Sequence, residues 1–335
     1  MACYASFPRA TVQLQPIPNT SNSSTIDTLT SKGLNIFRIA IMMERLIPSQ
    51  MTGSVNTTYS KPLVDLVNYI TNTKGAYAVV DPHNFGRYYG NVITDAASFQ
   101  AWWKTTAALF AGNSKVIFDC NNEPHDMQNS DVKNMMQGCI NGVRAAGATS
   151  QYIFVEGNSW SGAWTWVSSG NGDSLKDLTD PQNKIIYEMH QYLDSDGSGT
   201  SEACVSATIG KERLQAATAW LKANGKKGIL GEFAGGANTQ CASAVTDMLS
   251  YMGSNSDVWT GAVSLTSPQI QVLKNNCWFS VAVVGRWTMV GKLHLWHGTS
   301  FWDCIYLFLA QIAFIYLSTW RGLYIETSAI IHCIY

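Results

Sequence analysis

Residues 115–126 read KVIFDCNNEPHD, and residues 227–232 read KGILGE. Both are short apolar runs, and each leads into a glutamate, Glu123 in the first and Glu232 in the second. A run of this length bounded by polar residues or glycine predicts a buried strand. Five further runs have the same character: NIFRIA (35–40), AYAVVD (76–81), YIFVEG (152–157), KIIYEM (184–189) and VWTGAV (258–263). Between them the spacing predicts helices near 24–33, 59–73, 95–112, 130–146, 208–224 and 239–253. Strands alternating with helices make a parallel sheet covered by helices. Seven strands fall one short of a closed (β/α)8 TIM barrel, and a doubly wound sheet shares the alternation. The polar residues choose between them. Arg38, His83, Asn122, Glu123, Glu156, His190, Tyr192 and Glu232 all stand at or just beyond a C-terminal strand end. A barrel gathers those ends at one mouth, whereas an open sheet spreads them along an edge.

The charge balance narrows the partners. Lys and Arg number 22 against 23 Asp and Glu, a net charge of −1, so no basic surface draws the chain to nucleic acid or anionic lipid. Only 13% of residues are charged while Trp and Tyr number 12 and 14, a mixture that suits stacking on neutral sugar rings, although core packing accounts for most aromatics. The 8 cysteines contain no CxxC pair and no Cys/His cluster at zinc spacing, so no metal is expected. Glycosylation sequons begin at Asn19, Asn22 and Asn56, while the opening MACYASFPRA has no apolar stretch of signal-peptide length.

Glycoside cleavage needs two carboxyl groups facing across one sugar ring, about 5 to 5.5 Å apart for retention and about 6.5 to 9.5 Å for inversion. Glu123 and Glu232 sit on strand ends three positions apart, which meets that requirement in a barrel. Either glutamate alone reads as a solvated loop carboxylate or a salt-bridge partner. Together, with His and Arg at the neighbouring ends, they point to catalysis.

Residues 24–263 closely resemble the fungal endoglucanases of glycoside hydrolase family five. The matching strings are NIFRIA, AYAVVDPHNFGRYYG, SKVIFDCNNEPHD, AGATSQYIFVEGNSW, YEMHQYLDSDGSGT and GILGEFAGGAN. The resemblance implies a (β/α)8 barrel, hydrolysis of β-1,4-glucan with retention, no metal or other cofactor, a polysaccharide as partner, and secretion. It also implies that Glu123 is the acid/base of an NEP motif and Glu232 the nucleophile, with Arg38 beside it keeping it ionised. Asn122 would bind the 2-hydroxyl at the cleavage point, His83 and His190 would bind sugar hydroxyls and tune the site, and the Tyr192 hydroxyl would approach the nucleophile. Trp160 is implied as a sugar platform, and Tyr88, Tyr89, Trp164 and Trp166 either line further subsites or pack helices. Glu156 reads as structural. Cys204 and Cys241 match a pair that the family joins, and Cys120 and Cys139 read as buried thiols. A monomer is expected.

The ends depart from the pattern. The family opens with a Gly-rich first strand of the kind GVNxAGxEFG, which residues 1–23 do not contain, and it ends its last strand with a tryptophan where this chain has Ser264 and Leu265. The expectation is an incomplete barrel over 24–263, with strand one and the last strand and helix missing or altered. Residues 264–335 lose the alternation, and CIYLFLAQIAFIYLSTW (304–320) carries no charge. Its length is at the lower limit for a membrane span, about 17 residues. Membrane anchor, barrel-completing helix and mistranslated sequence are its three readings. The alternatives to glucan hydrolysis are β-mannan hydrolysis on the same barrel, or an inactive carbohydrate-binding or membrane-tethered remnant.

Overall fold

A computed structural model describes residues 20–31, 34–236, 238–263 and 278–279. Seven parallel strands form in it: Ile36–Ile41 (β1), Tyr77–Pro82 (β2), Val116–Asp119 (β3), Tyr152–Val155 (β4), Ile185–Tyr192 (β5), Gly228–Gly236 (β6) and Trp259–Ala262 (β7). Each pairs with the next in chain order, as a (β/α)8 barrel requires. Among the described residues no ladder joins β7 back to β1. The sheet is therefore an incomplete (β/α)8 barrel. A two-residue strand, Trp278–Phe279, lies antiparallel against Gly235 and Gly236 of β6.

The long helices of the described residues cover the sheet: Thr20–Ser31 (α1), Thr57–Asn68 (α2), Ala96–Ala108 (α3), Asn129–Ala145 (α4), Ile209–Ala223 (α5) and Thr239–Ser254 (α6). Side-chain oxygens of Asn56, Asp95 and Asn238 accept the first free amides of α2, α3 and α6, so each helix starts where its cap residue stands. Helices α3 and α4 pack closely because α4 carries Gly142 at the crossing, where a Cβ would overlap the Gln100 carbonyl.

Strand residues alternate between two cores. Phe37, Ala78, Val80, Phe118, Ile153, Val155, Tyr187, Met189 and Leu230 join the large cluster beneath the helices. Ile36, Val79, Ile117, Phe154, Ile186, Ile229 and Val263 form a second cluster, with one member from each strand or, for Val263, from just beyond β7. This is the period-two pattern of a barrel with packed outer and inner faces. The inner cluster is the apolar floor of the site.

Two expectations are corrected. Cys120 and Cys139 are buried as expected, but they are joined in a disulfide, with Cα atoms 5.7 Å apart. The spacing of 19 residues carries no pairing signal, and only the packing of α4 beside β3 brings them together. Closing that loop contributes about 3 kcal/mol on a chain-entropy basis. Strands β5 and β6 also run past Met189 and Glu232, the ends expected from hydrophobicity, and stay paired to Tyr192 and Ala234. Beyond the mouth the ladder is held by backbone pairing, to which a hydrophobic pattern is blind.

The expectations for a first strand within 1–23 and for the tail fall almost wholly outside the described residues, the stretch 304–320 entirely so. Among the described residues no helix is long and apolar enough to cross a membrane.

Candidate active site

Two residues above the apolar floor, on the same inner face, the strands carry charge. Ile36 is followed by Arg38, Val79 by Asp81, Ile117 by Asp119, Phe154 by Glu156 and Ile186 by Glu188. Arg38 is the hub of this layer. Its guanidinium meets five carboxylates: Asp119 at 2.6 Å, Glu232 at 2.7 Å, Glu156 at 3.0 Å, Asp81 at 3.1 Å and Glu188 at 3.2 Å. Its Nη2 also donates to Asn122 Oδ1 at 2.9 Å. Carboxylates buried at this density repel one another, and Asp119 and Glu156 answer by binding protons more tightly. Burial pushes both pKa values well above the usual range, and their acidic neighbours add to it against the pull of the nearby cations.

The catalytic candidates stand one layer higher. Arg38 Nη1 donates to Glu232 Oε1 at 2.7 Å, and the Tyr192 hydroxyl donates to Glu232 Oε2 at 2.8 Å. Burial alone would raise the pKa of Glu232. The positive charges of His190, Arg38 and His83, with the Tyr192 hydrogen bond, outweigh burial and lower it to about 2. Because the folded value lies below the unfolded one, Glu232 contributes stability above about pH 4.5, and loses it as pH falls toward 2.

Glu123 lies just beyond β3 in a left-handed conformation, φ 45°. A non-glycine residue held there costs on the order of 1 to 3 kcal/mol. The cost is offset locally by its own amide, which donates to Glu156 Oε2 at 2.8 Å. Glu156 is thus a buried support for Glu123. His190 Nδ1 lies 2.7 Å from Glu123 Oε1 and 3.6 Å from Glu232 Oε2, so the ring stands between the two glutamates. One oxygen of Glu123 and one of Glu232 come within 4.8 Å of each other. Burial opposes charge on His190, but Glu232 and Glu156 and the hydrogen bonds to Glu123 and Glu188 lift its pKa well above that of a free imidazole. His83 Nδ1 sits 2.9 Å from Asp81.

Asn122 is fully buried, and its Nδ2 has no hydrogen-bond partner among the described residues. Trp160 is half exposed and stacks on His125, with ring centroids 4.6 Å apart and planes 9° from parallel. It occupies the middle of three consecutive left-handed residues, Ser159, Trp160 and Ser161, and its amide donates to the Pro124 carbonyl, next to Glu123. Tyr89 and Trp164 are also exposed, Trp164 resting on the Arg213 guanidinium, whereas Tyr88 is anchored by a hydroxyl bond to the Ile47 carbonyl. Trp166 takes the packing alternative, fully buried against Tyr187 and Trp220. Cys204 and Cys241 form a disulfide.

Among the described residues two sets, Glu123–His190–Glu232 and Glu156–Glu188–His190, bring oxygen and nitrogen atoms close enough to share a cation. Arg38 already supplies positive charge to Glu232 in the first set and to Glu156 and Glu188 in the second. Sequence reading missed Asp81, Asp119 and Glu188 and the role of His125. The first three carried a signal, an acid two residues after an inward apolar residue on successive strands.

The Cellulase (glycosyl hydrolase family 5) profile matches residues 7–265. The chain belongs to glycosyl hydrolase family 5. Among its family relatives, a probable endo-beta-1,4-glucanase B of Neosartorya fischeri is 62% identical over 240 residues, 72% of each chain. Endo-beta-1,4-glucanase A of Emericella nidulans is 60% identical over 239 residues, 71% of this chain and 72% of its own. Cel5A of Hypocrea jecorina superposes with a TM-score of 0.66 at 32% identity, covering 70% of this chain and 72% of its own. XacCel5A, solved in complex with cellopentaose, superposes at 0.70 with 35% identity, covering 72% of this chain and 79% of its own.

Arg38→Lys is expected to keep one positive charge but lose the fork that holds Glu232 and Asp119 together. The Glu232 pKa then rises, so the acid limb of the kcat/KM profile should move to higher pH, with a loss of more than about tenfold at its optimum. An unmoved acid limb would separate the ionisation of Glu232 from Arg38.

Proposed function

We propose that this family 5 enzyme is an endo-acting β-1,4-glucanase that cleaves with retention, with Glu232 as nucleophile and Glu123 as general acid/base. The observation that carries the reading is the approach of the two carboxylates to within 4.8 Å, well short of the separation of about 6.5 to 9.5 Å that admits a water between them. In the first step a Glu232 oxygen attacks the anomeric carbon while Glu123 gives its proton to the leaving glycosidic oxygen. In the second, Glu123 takes a proton from water, whose oxygen attacks the same carbon and releases Glu232. Their surroundings suit these roles. Glu232 is buried among cations that keep it ionised, while Glu123 stands beside His190 at the more open rim. The Asn122 Nδ2, without a partner among the described residues, is a donor for the sugar 2-hydroxyl, and Trp160 offers its exposed face as a platform. The relatives named as endo-β-1,4-glucanases favour glucan over mannan. Two disulfides suit an oxidising compartment, which supports secretion.

Proton NMR of the first-formed reducing end from a β-linked cello-oligosaccharide is expected to give the β-anomer. An initial α-anomer would rule out double displacement. Faster reducing-sugar release from glucomannan than from carboxymethyl cellulose would replace the glucanase reading by a mannanase one.

A further inference from the structure

His83 and His190 each follow, by two residues in the chain, a buried carboxylate that also meets Arg38. On β2, Asp81 Oδ2 lies 2.9 Å from His83 Nδ1 and 3.1 Å from Arg38 Nη1. On β5, Glu188 Oε1 lies 3.4 Å from His190 Nε2 and 3.2 Å from Arg38 Nε. The second arrangement reaches further, because the opposite nitrogen of the His190 ring faces Glu123 Oε1 at 2.7 Å. A line of carboxylate, imidazole and carboxylate runs from the barrel interior to the acid/base. We propose that Glu188 is a positioning residue for the reaction: by holding Nε2 of His190 it turns Nδ1 toward Glu123, while it meets Arg38 as a charge alone, since the Nε hydrogen goes to Asp119. The inference rests on the roles given to Glu123 and Glu232 above.

Three features argue that this place was built for Glu188. Gly231 of β6, directly before Glu232, is passed over in the ladder with β5, and any Cβ on it would overlap the Glu188 carboxylate. The Glu188 carbonyl is clamped by Ser161 Oγ at 2.7 Å, and that hydroxyl accepts the Gly157 amide at 3.0 Å. The register of β5 against β6 shifts between Met189 and His190, with Gly231 of β6 as the extra residue, a bulge that re-aims the Glu232 after it and sets it opposite His190. Neutralising Arg38 does not call for Glu188. Asp119 already receives both Nε and Nη2 of Arg38, and Asp81, Glu156 and Glu232 complete its surroundings. A fifth carboxylate buried beside one cation costs free energy unless it does something more. What Glu188 adds is the second nitrogen of His190.

The groups facing that ring are Glu123, Glu156, Glu188 and Glu232, with Arg38 behind the last three. Removing the Glu188 charge takes away one of the contacts that keep the ring protonated. The imidazolium then loses its proton at lower pH. The test uses the full chain, Glu188→Gln, His190→Asn and the double variant, assayed on an aryl cellobioside across pH with melting curves alongside. Glu188→Gln is expected to lower kcat about tenfold with KM changed less than about twofold, and to move the alkaline limb of kcat to lower pH. In the His190→Asn background the same change should cost less than about twofold, since the route through the ring is gone. An unmoved alkaline limb, or an equal loss in both backgrounds, would make Glu188 a counter-charge only. If Glu188→Gln does not fold, nitrogen-15 NMR of the wild-type imidazoles decides. A proton on His190 Nε2 throughout the active pH range is expected, and a bare Nε2 would overturn the proposal. Failure of the wild-type chain to hydrolyse β-1,4-glucan would instead strike the function reading, leaving the NMR result to judge Glu188 separately.

Discussion

Glu232→Gln is expected to abolish hydrolysis of every β-1,4-glucan substrate, a loss on the order of ten-thousandfold or more in kcat, with the variant still melting cooperatively. The amide keeps the shape and volume of the carboxylate; its oxygen can still accept from Arg38 Nη1 and its NH2 can donate to the Tyr192 hydroxyl oxygen, so both contacts that fix the side chain survive. What it lacks is an anionic oxygen to form the glycosyl-enzyme bond. Nothing nearby can substitute. Glu156 and Glu188 lie in the layer beneath, fully buried and committed to Arg38 and His190. The loss should be the same for good and poor leaving groups, because the nucleophile is needed whatever departs. Residual activity within about a hundredfold of wild type would mean that another group attacks the anomeric carbon, and the assignment of Glu232 would fall.

Glu123→Gln is expected to behave differently, and the difference identifies the acid. On cello-oligosaccharides, whose leaving alkoxide must be protonated, kcat should fall by about a hundredfold to ten-thousandfold, the range that general acid–base catalysis supplies. On an aryl cellobioside with a strongly acidic phenol the first step needs no proton and proceeds. The glycosyl-enzyme then accumulates, because the amide cannot take a proton from water, and a burst of phenol followed by slow turnover should be seen. The substitution leaves the Glu123 amide on Glu156 Oε2, so the left-handed backbone at this position is retained. Equal losses on both substrates, without a burst, would contradict the division of labour between Glu123 and Glu232.

The strand and helix alternation is legible in the chain, since burial of apolar side chains at period two or near 3.6 leaves its mark on neighbouring residues. It was enough to predict the seven strands from Asn35 to Val263 and the glutamates, histidines and arginine at their ends. The resemblance then attached roles to those residues. Tertiary structure decided what depends on residues far apart in the chain. The pairing of Cys120 with Cys139 followed from the packing of α4 beside β3, and the burial of Trp166 from its packing on Tyr187 and Trp220. The extension of β5 and β6 past the mouth came from backbone bonds between strands. The ring of Asp81, Asp119, Glu156 and Glu188 around Arg38 is the clearest case. Each strand holds only one acid two positions beyond an apolar residue, which alone reads as a strand leaving the core. Only when the strands roll into a barrel do those acids converge, because curvature brings inner-face residues of every strand to a common centre where one cation can bind them all.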